Sequence, residues 1–235
     1  MKLSVIMPAY NERRTIEEIV KRVLAVDLPG MTKELIIVDD ASSDGTADIL
    51  KTVDGRDGIR VFTQSPNQGK GAAVARGFRE ATGDILLIQD ADLEYDPAEY
   101  SSLLGPILRG DADVVYGSRF QGSPHGQRVL YFWHSVGNKM LTLLSNAVTD
   151  LNLTDMETCY KAFTRNVATR LDLRSKRFGV EPEMTCKIAR LRVRIYEVPI
   201  SYHGRTYADG KKIGLKDAVQ AAWTILRYAR WSPRP

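Results

Sequence analysis

With 235 residues, 43% of them hydrophobic and 26% charged, the chain has the composition of a globular protein and can bury a sizeable core without staples. Its two cysteines, Cys159 and Cys186, exclude a disulfide framework and read as small buried hydrophobes in a reducing compartment. The net charge of +4 is unevenly placed: residues 203–235 carry seven Lys or Arg against two Asp, a tail suited to phosphates on lipid, nucleotide or nucleic acid.

The first eight residues hold one Lys and a very short apolar run, too short for a signal peptide. No apolar stretch approaches the ~18–20 residues of a membrane span. The longest, 129–148, is broken by His134, Asn138, Lys139, Ser145 and Asn146. The expected location is cytoplasmic, either soluble or peripheral on a membrane surface.

In chain order, residues 2–7 read as a strand. Residues 15–26 read as a helix, with Ile16, Ile19, Val20 and Val23 at helical spacing. The run ELIIV at 34–38 is a buried strand, 46–51 opens a helix, and 59–62 is a strand. Residues 71–81 are helical, 84–88 form a strand, 97–109 a helix with Pro97 near its first turn, and 113–116 a strand. This alternation predicts parallel βαβ units, hence an α/β fold with a mostly parallel sheet covered by helices on both faces. The second half is less regular. It offers helices at 129–148, 181–191 and 216–231, a strand at 193–198, and a polar, glycine-containing loop at 202–214 suited to closing over a site. No internal repeat or linker divides the chain. Residues 1–214 are read as one domain, and 215–235 as a basic amphipathic helix that belongs to it or is appended.

Parallel sheets bind ligands at the carboxyl ends of their strands. Asp90 and Asp92 directly follow the strand ILLI, with Glu94 close behind. Such closely spaced carboxylates suit Mg²⁺ or Mn²⁺, and a metal there neutralises a diphosphate leaving group. A lone D-x-D is most often a pair of solvated loop acids; its place after an apolar strand, beside other acidic loops, reverses that reading. Asp39 and Asp40 follow the second strand in the same way, and one of them is suited to accept hydrogen bonds from a base or ribose. Asp44, ahead of Gly45-Thr46, reads as a helix cap.

Five segments then occur in order: Pro8-Ala9-Tyr10-Asn11-Glu12, Val38-Asp39-Asp40-Ala41-Ser42-Ser43-Asp44-Gly45-Thr46, Asn67-Gln68-Gly69-Lys70-Gly71, Asp90-Ala91-Asp92-Leu93 and Gly117-Ser118-Arg119. Together they resemble family 2 glycosyltransferases of GT-A fold, and within them the dolichol-phosphate mannose synthase and polyprenyl-phosphate glycosyltransferase branch, over roughly residues 2–214. The resemblance implies that Pro8, Tyr10, Glu12 and Asp39 or Asp40 hold the nucleoside. Asp90 and Ala91 contact the donor, and Asp92 with Glu94 binds Mg²⁺ or Mn²⁺. The family often has Gln where Glu94 stands, so the extra charge bears on metal preference. Arg119 reaches phosphate or acceptor, and Arg205 and Lys211 close over the donor diphosphate, as a guanidinium fork and an ammonium suit.

The implied reaction inverts the anomeric carbon of a nucleotide sugar, GDP- or UDP-linked. Catalysis rests on positioning and charge stabilisation. A phosphate acceptor is already ionised at neutral pH, whereas a hydroxyl needs a general base. Asp155 and Glu157 are the candidates for that base; the resembling family carries an acidic residue in a similar segment, which makes Asp155 the first choice for acceptor-side contact. The leading acceptor is a polyprenyl phosphate. Trp223, Tyr228 and Trp231 beside Arg227 and Arg230 suit a lipid interface as well as ordinary packing on the sheet.

Other signals read as bland. Gly69-Lys70-Gly71 lacks P-loop spacing and marks a turn before a helix. His125, His134 and His203 have no metal-ligand spacing. Asn152-Leu153-Thr154 is a sequon without a secretory signal. Residues 227–231, RYARW, lack the Gln of the Q-x-x-R-W found in processive synthases. The competing readings are a transferase acting on a hydroxyl of a small molecule, peptide or glycan, a sugar-1-phosphate nucleotidyltransferase, and a nucleotide-sugar-binding protein without turnover. The nucleotidyltransferase ranks low, because no glycine-rich basic signature follows the first strand. Nucleic acid is disfavoured because the acidic loops repel a polyanion.

Overall fold

The structure, a computed structural model, describes residues 1–122, 129, 131–204 and 215–233. Its centre is a seven-stranded sheet of order β3-β2-β1-β4-β6-β5-β7. The strands are β1 (Lys2–Ala9), β2 (Thr32–Asp39), β3 (Ile59–Thr63), β4 (Ile85–Ile88), β5 (Val114–Ser118), β6 (Lys161–Thr164) and β7 (Ile195–Pro199). Every pairing is parallel except those of β6, which runs against both β4 and β5. β1 is buried from Leu3 to Ala9 and β4 throughout, which is why both read as apolar runs rather than alternating ones. Pro8 stands in β1 without an amide to donate, and it is tolerated because β1 has by then left β4: their register ends at Ile6 opposite Ile88.

The helices are α1 (Ile16–Ala25), α2 (Thr46–Val53), α3 (Lys70–Glu80), α4 (Tyr100–Leu108, entered through a 3₁₀ turn at Pro97–Glu99), α5 (Phe132–Thr149), α6 (Arg165–Arg170), α7 (Val180–Leu191) and α8 (Leu215–Tyr228). α1 buries the predicted stripe Ile16, Ile19, Val20 and Val23. Lys33 at the start of β2 closes its C-terminal end, donating to the carbonyls of Val23, Leu24 and Val26 at 2.6, 3.0 and 2.8 Å. α3 lies across β1 and β2, and Gly77 permits that approach because a Cβ there would collide with Ile6. The main core surrounds the sheet. A smaller one joins α5, α7 and α8 through Met156, Cys186, Ile225 and Tyr228. No helix among the described residues is long and apolar enough to cross a membrane.

Two elements have no counterpart in the sequence reading, β6 and α6. β6 has four residues and opens on Lys161, whose side chain is fully buried. A strand starting with a buried ammonium does not announce itself by hydropathy. The ammonium is accommodated because it donates to the carbonyls of Met156 and Thr158 and to Glu181 Oε2.

Candidate active site

Because six strands run one way, their carboxyl ends share one edge. The reversed β6 begins at that same edge, Lys161 lying opposite Tyr116 of β5. The segment 155–160 that leads into β6 therefore meets Asp90 after β4, Arg119 after β5 and Glu197 in β7.

On the β1–β2 side, Asp39 and Asp40 are both buried but differ in use. Asp40 ties down the turn ahead of α3: its carboxylate accepts the amides of Gln68 and Gly69 at 2.7 and 2.6 Å, and its carbonyl accepts Asn67 Nδ2 at 2.8 Å. Among the described residues, the Asp39 carboxylate accepts only the Ser42 amide, at 3.3 and 3.4 Å to its two oxygens. Of the two expected nucleoside contacts, Asp39 keeps the greater capacity for a ligand. Tyr10 is 41% exposed at the end of β1. Glu12 opens α1: its carbonyl accepts the amides of Thr15 and Ile16, and its Oε2 accepts Thr15 Oγ1 at 3.1 Å. Asp44 accepts Thr46 N and Thr46 Oγ1 at 3.0 and 2.6 Å, but the cap position expected for it is held by Gly45 instead, in the left-handed region that glycine favours.

The turn after β4 carries the next group. Asp90 is not turned toward Asp92. Lys70 Nζ stands 2.9 Å from Asp90 Oδ1, and Cys159 Sγ donates to the same oxygen at 2.9 Å. Lys70 also lies 3.5 Å from Glu181 Oε1. Burial alone would push Lys70 down; the carboxylates of Asp90 and Glu181 overcome this and hold it well above the usual lysine range. Burial, then Asp90, push the Cys159 thiol up, so it stays protonated and donates. Gly69 (φ +92°) and Gly71 make the turn that delivers Lys70, and a Cβ on either would strike the backbone of residues 175–176.

Asp92 Oδ1 accepts the Glu94 amide at 3.2 Å, and Glu94 Oε2 accepts Tyr202 OH at 2.7 Å. The expected set Asp90, Asp92 and Glu94 is not gathered as a cage: among the described residues no three His, Cys, Asp or Glu side chains come together to hold an ion. The oxygen chemistry of Asp92 and Glu94 still fits a hard cation that draws its remaining ligands from a diphosphate and water, the usual manner of Mg²⁺.

Arg119, directly after β5, forms the third group. It is 6% exposed, and Asp155 is fully buried. Arg119 Nε donates to Asp155 Oδ2 at 2.7 Å, Nη2 to Oδ1 at 2.8 Å, and the Arg119 amide to Oδ2 at 3.0 Å. The guanidinium lies over the Tyr202 ring, 5.1 Å from its centroid. Glu197 of β7 holds the Asp155 loop by accepting the Thr154 and Asp155 amides at 2.9 and 3.2 Å. Asp155, expected to make the acceptor-side contact and one of the two candidate bases, thus has both oxygens committed to Arg119. A carboxylate so engaged is poorly placed to take a proton. Glu157 differs: its Oε1 is buried without a hydrogen-bond partner among the described residues. Burial, then the neighbouring Glu181, raise its carboxyl to about 7, against the pull of Lys161 and Arg119.

The structure therefore brings Asp90, Ala91, Asp92, Glu94, Arg119 and Asp155 to one edge, with Pro8, Tyr10, Glu12, Asp39 and Asp40 beside them. Arg205 and Lys211 lie outside the described residues. Sequence reasoning missed Lys70, Cys159, Glu181, Glu197 and Tyr202. Lys70 alone carried a signal, as the one charged residue between the two glycines of its motif.

A mostly parallel α/β sheet with acidic turns and a buried arginine at its carboxyl edge is the architecture of a GT-A glycosyltransferase, and this chain is a glycosyltransferase. It belongs to glycosyltransferase family 2: the family model described as "Glycosyl transferase family 2" matches residues 4–171. The chain is 33% identical to an undecaprenyl-phosphate mannosyltransferase of Micrococcus luteus, over 98% of this chain and 96% of the relative. It is 28% identical to a dolichol-phosphate mannosyltransferase of Pyrococcus furiosus over 98% of its own length, and spans 64% of that longer relative. The fold is shared with glucosyl-3-phosphoglycerate synthase of Mycobacterium tuberculosis in complex with Mn²⁺, UDP-glucose and phosphoglyceric acid. The TM-score is 0.76 at 22% identity, covering 99% of this chain and 81% of that one.

Proposed function

We propose that the chain transfers a hexose from a GDP- or UDP-sugar to a polyprenyl phosphate, with inversion and with Mg²⁺ or Mn²⁺, at the cytoplasmic face of a membrane. The observation that carries the acceptor class is the Arg119–Asp155 pair. It offers a fixed guanidinium, suited to a phosphate, and it occupies Asp155, one of the two carboxylates that could serve a hydroxyl acceptor as base. Relatives named for transfer to undecaprenyl and dolichol phosphates support the same acceptor. The mycobacterial synthase crystallised with Mn²⁺ or Mg²⁺ and UDP supports the donor and the ion.

In this reading Asp39 and Tyr10 orient the nucleoside. Asp92 and Glu94 hold the ion, which supplies positive charge against the diphosphate. Lys70 fixes the turn that carries Asp90 and Ala91 against the sugar. Tyr202 couples Glu94 to Arg119, so the donor and acceptor ends share one rigid connection. A phosphate oxygen of the acceptor attacks the anomeric carbon, and the C1–O bond to the departing nucleoside diphosphate breaks on the opposite face. Arg205 and Lys211 steady the charge on that leaving group. Residues 1–214 form the transferase domain, and the helix in 215–235 belongs to it through α5 and α7.

The test is nucleoside diphosphate release across a panel of UDP- and GDP-sugars, with either ion, with and without a polyprenyl phosphate. Release that requires the lipid and disappears in Asp92→Asn is expected. Metal-dependent donor binding without lipid-stimulated release would overturn it. The unpartnered Glu157, with its carboxyl near 7, favours one second reading, a hydroxyl acceptor served by Glu157 as base.

A further inference from the structure

The turn after β4 runs from Asp90 to Tyr95 and carries both Asp92 and Glu94. Its own sequence, DADLEY, holds no glycine or proline to fix its shape. Leu93 nevertheless stands in the left-handed region, at φ +63°, where a bulky side chain is an outlier. Such a backbone persists only where the surroundings over-determine it.

Those surroundings converge on one side chain. Gln89, the residue just before the turn, is fully buried. Its Nε2 donates to the carbonyl of Asp90 at 3.1 Å and to that of Tyr95 at 3.4 Å, the two ends of the turn. Its Oε1 accepts Tyr100 OH at 2.9 Å and Tyr160 OH at 2.7 Å. Backbone carbonyls only accept, so the amide nitrogen must face the turn, and the whole hydrogen-bonding capacity of the side chain is then used. Burial holds Tyr100 and Tyr160 well above the usual tyrosine range, so both keep the proton they donate.

The far end of the turn is held a second time. The Tyr95 ring stacks on Tyr160 with centroids 4.7 Å apart, and its hydroxyl accepts the Cys159 amide at 3.2 Å. Cys159 also reaches the near end, through its thiol on Asp90. Gln89 thus ties the turn to the start of α4 and to the approach to β6 at once. Filling the core would need only an apolar side chain of the same volume, without the cost of burying an amide.

We infer that Gln89 is a positioning residue for the ion: by holding the carbonyls of Asp90 and Tyr95 it sets the span of the turn, and with it the approach of Asp92 and Glu94 to a shared cation. It acts through the backbone and not on the reacting atoms. The inference deepens the proposed function and rests on it for the assignment of the ion to Asp92 and Glu94.

The experiment is titration of the purified chain with Mn²⁺ in the presence of GDP or UDP, following the free ion by electron paramagnetic resonance, beside thermal unfolding of each protein. Gln89→Met removes all four bonds. Gln89→Glu keeps the volume and the acceptor for the tyrosines but has at most one O–H in place of two N–H donors, and the test stands on it if Gln89→Met does not fold. Both are expected to weaken Mn²⁺ binding about ten- to a hundredfold, as the loss of a group that orients metal ligands does. Tyr160→Phe leaves both carbonyl contacts in place, and Leu50→Ala lies in α2, which packs on α1 and β3. These two should lower the melting temperature and stay within about threefold of the wild type in affinity. Asp92→Asn should abolish binding. If Asp92→Asn loses the ion while the Gln89 variants bind it like the wild type, the inference is overturned and the ion assignment stands. An equal weakening in Leu50→Ala also overturns it, since lost stability alone would then explain the effect. If Asp92→Asn binds Mn²⁺ as the wild type does, the ion assignment fails and the inference falls with it.

Discussion

Asp155→Asn separates a positioning carboxylate from a catalytic one. The wild-type side chain is fully buried and receives three hydrogen bonds from Arg119, two of them from the guanidinium. Asparagine keeps the shape but removes the charge, leaving a guanidinium that is 6% exposed without its counter-ion. Removing one partner of a buried pair costs about 3–5 kcal/mol. At 2–4 °C per kcal/mol for a chain of this size, the melting temperature should fall by about 6–20 °C. Thermal and urea unfolding read the stability, and the same preparation gives kcat and KM for each substrate. In Arg119→Met with Asp155→Asn the stranded charge is gone. The double variant should therefore be more stable than the sum of the single losses predicts, with a coupling of at least ~2 kcal/mol. Two results would refute the reasoning. One is Asp155→Asn with unchanged stability and an abolished kcat, which is the behaviour of a base. The other is a cycle in which the two losses simply add.

Two further perturbations test the neighbouring charges. Folding raises Glu157 from 4.5 to about 7, so the native state binds the extra proton. The wild type should lose stability as pH rises from about 4.5 to 7, by up to about 3 kcal/mol. Glu157→Gln should lack that loss in urea titrations across the range, and a parallel slope in the two proteins would count against the assigned environment. Lys70→Met leaves Asp90 and Glu181 without their shared cation. Donor or metal affinity should drop about ten- to a hundredfold, as for other residues that orient a binding group, with partial recovery in Lys70→Arg; isothermal titration with the nucleoside diphosphate and Mn²⁺ measures it.

The legible parts were those written in local periodicity. β1, β2 and β4 carry apolar runs, α1 shows a clean stripe, and each acidic turn sits immediately after its strand, so the sequence marks the carboxyl edge of the sheet as the candidate site. What stayed hidden was pairing across long separations. Arg119 and Asp155 are 36 residues apart, and Lys70 and Cys159 are 89 apart; nothing in either neighbourhood names the other. The same distance effect made Asp40 look equivalent to Asp39, although Asp40 spends its carboxylate on the amides of Gln68 and Gly69. The acidic trio after β4 shows the limit of motif spacing: Asp90 and Asp92 are one residue apart, but the backbone turns one toward Lys70 and leaves the other beside Glu94.

The reversed strand β6 explains why the acceptor side was the hardest to read. Were all seven strands parallel, every loop at the site would follow a strand, and each residue there would come just after an apolar run. Because β6 runs the other way, the segment that enters the site precedes its strand, and the approach is paved with Asp155, Glu157, Cys159 and the buried Lys161. Such a segment has no hydropathic marker. Its order comes from charges supplied elsewhere: Arg119 from β5, Glu197 from β7, Glu181 from α7, and the polar seam of α5. The polar residues that interrupt the apolar run of 129–148, and so disqualify it as a membrane span, include Asn138 and Ser145, two of the three that α5 buries, and Asn146, which grips Leu153. One pattern thus breaks the apolar run of 129–148 and supplies the polar side of α5 that holds Leu153 and Met156, on either flank of Asp155.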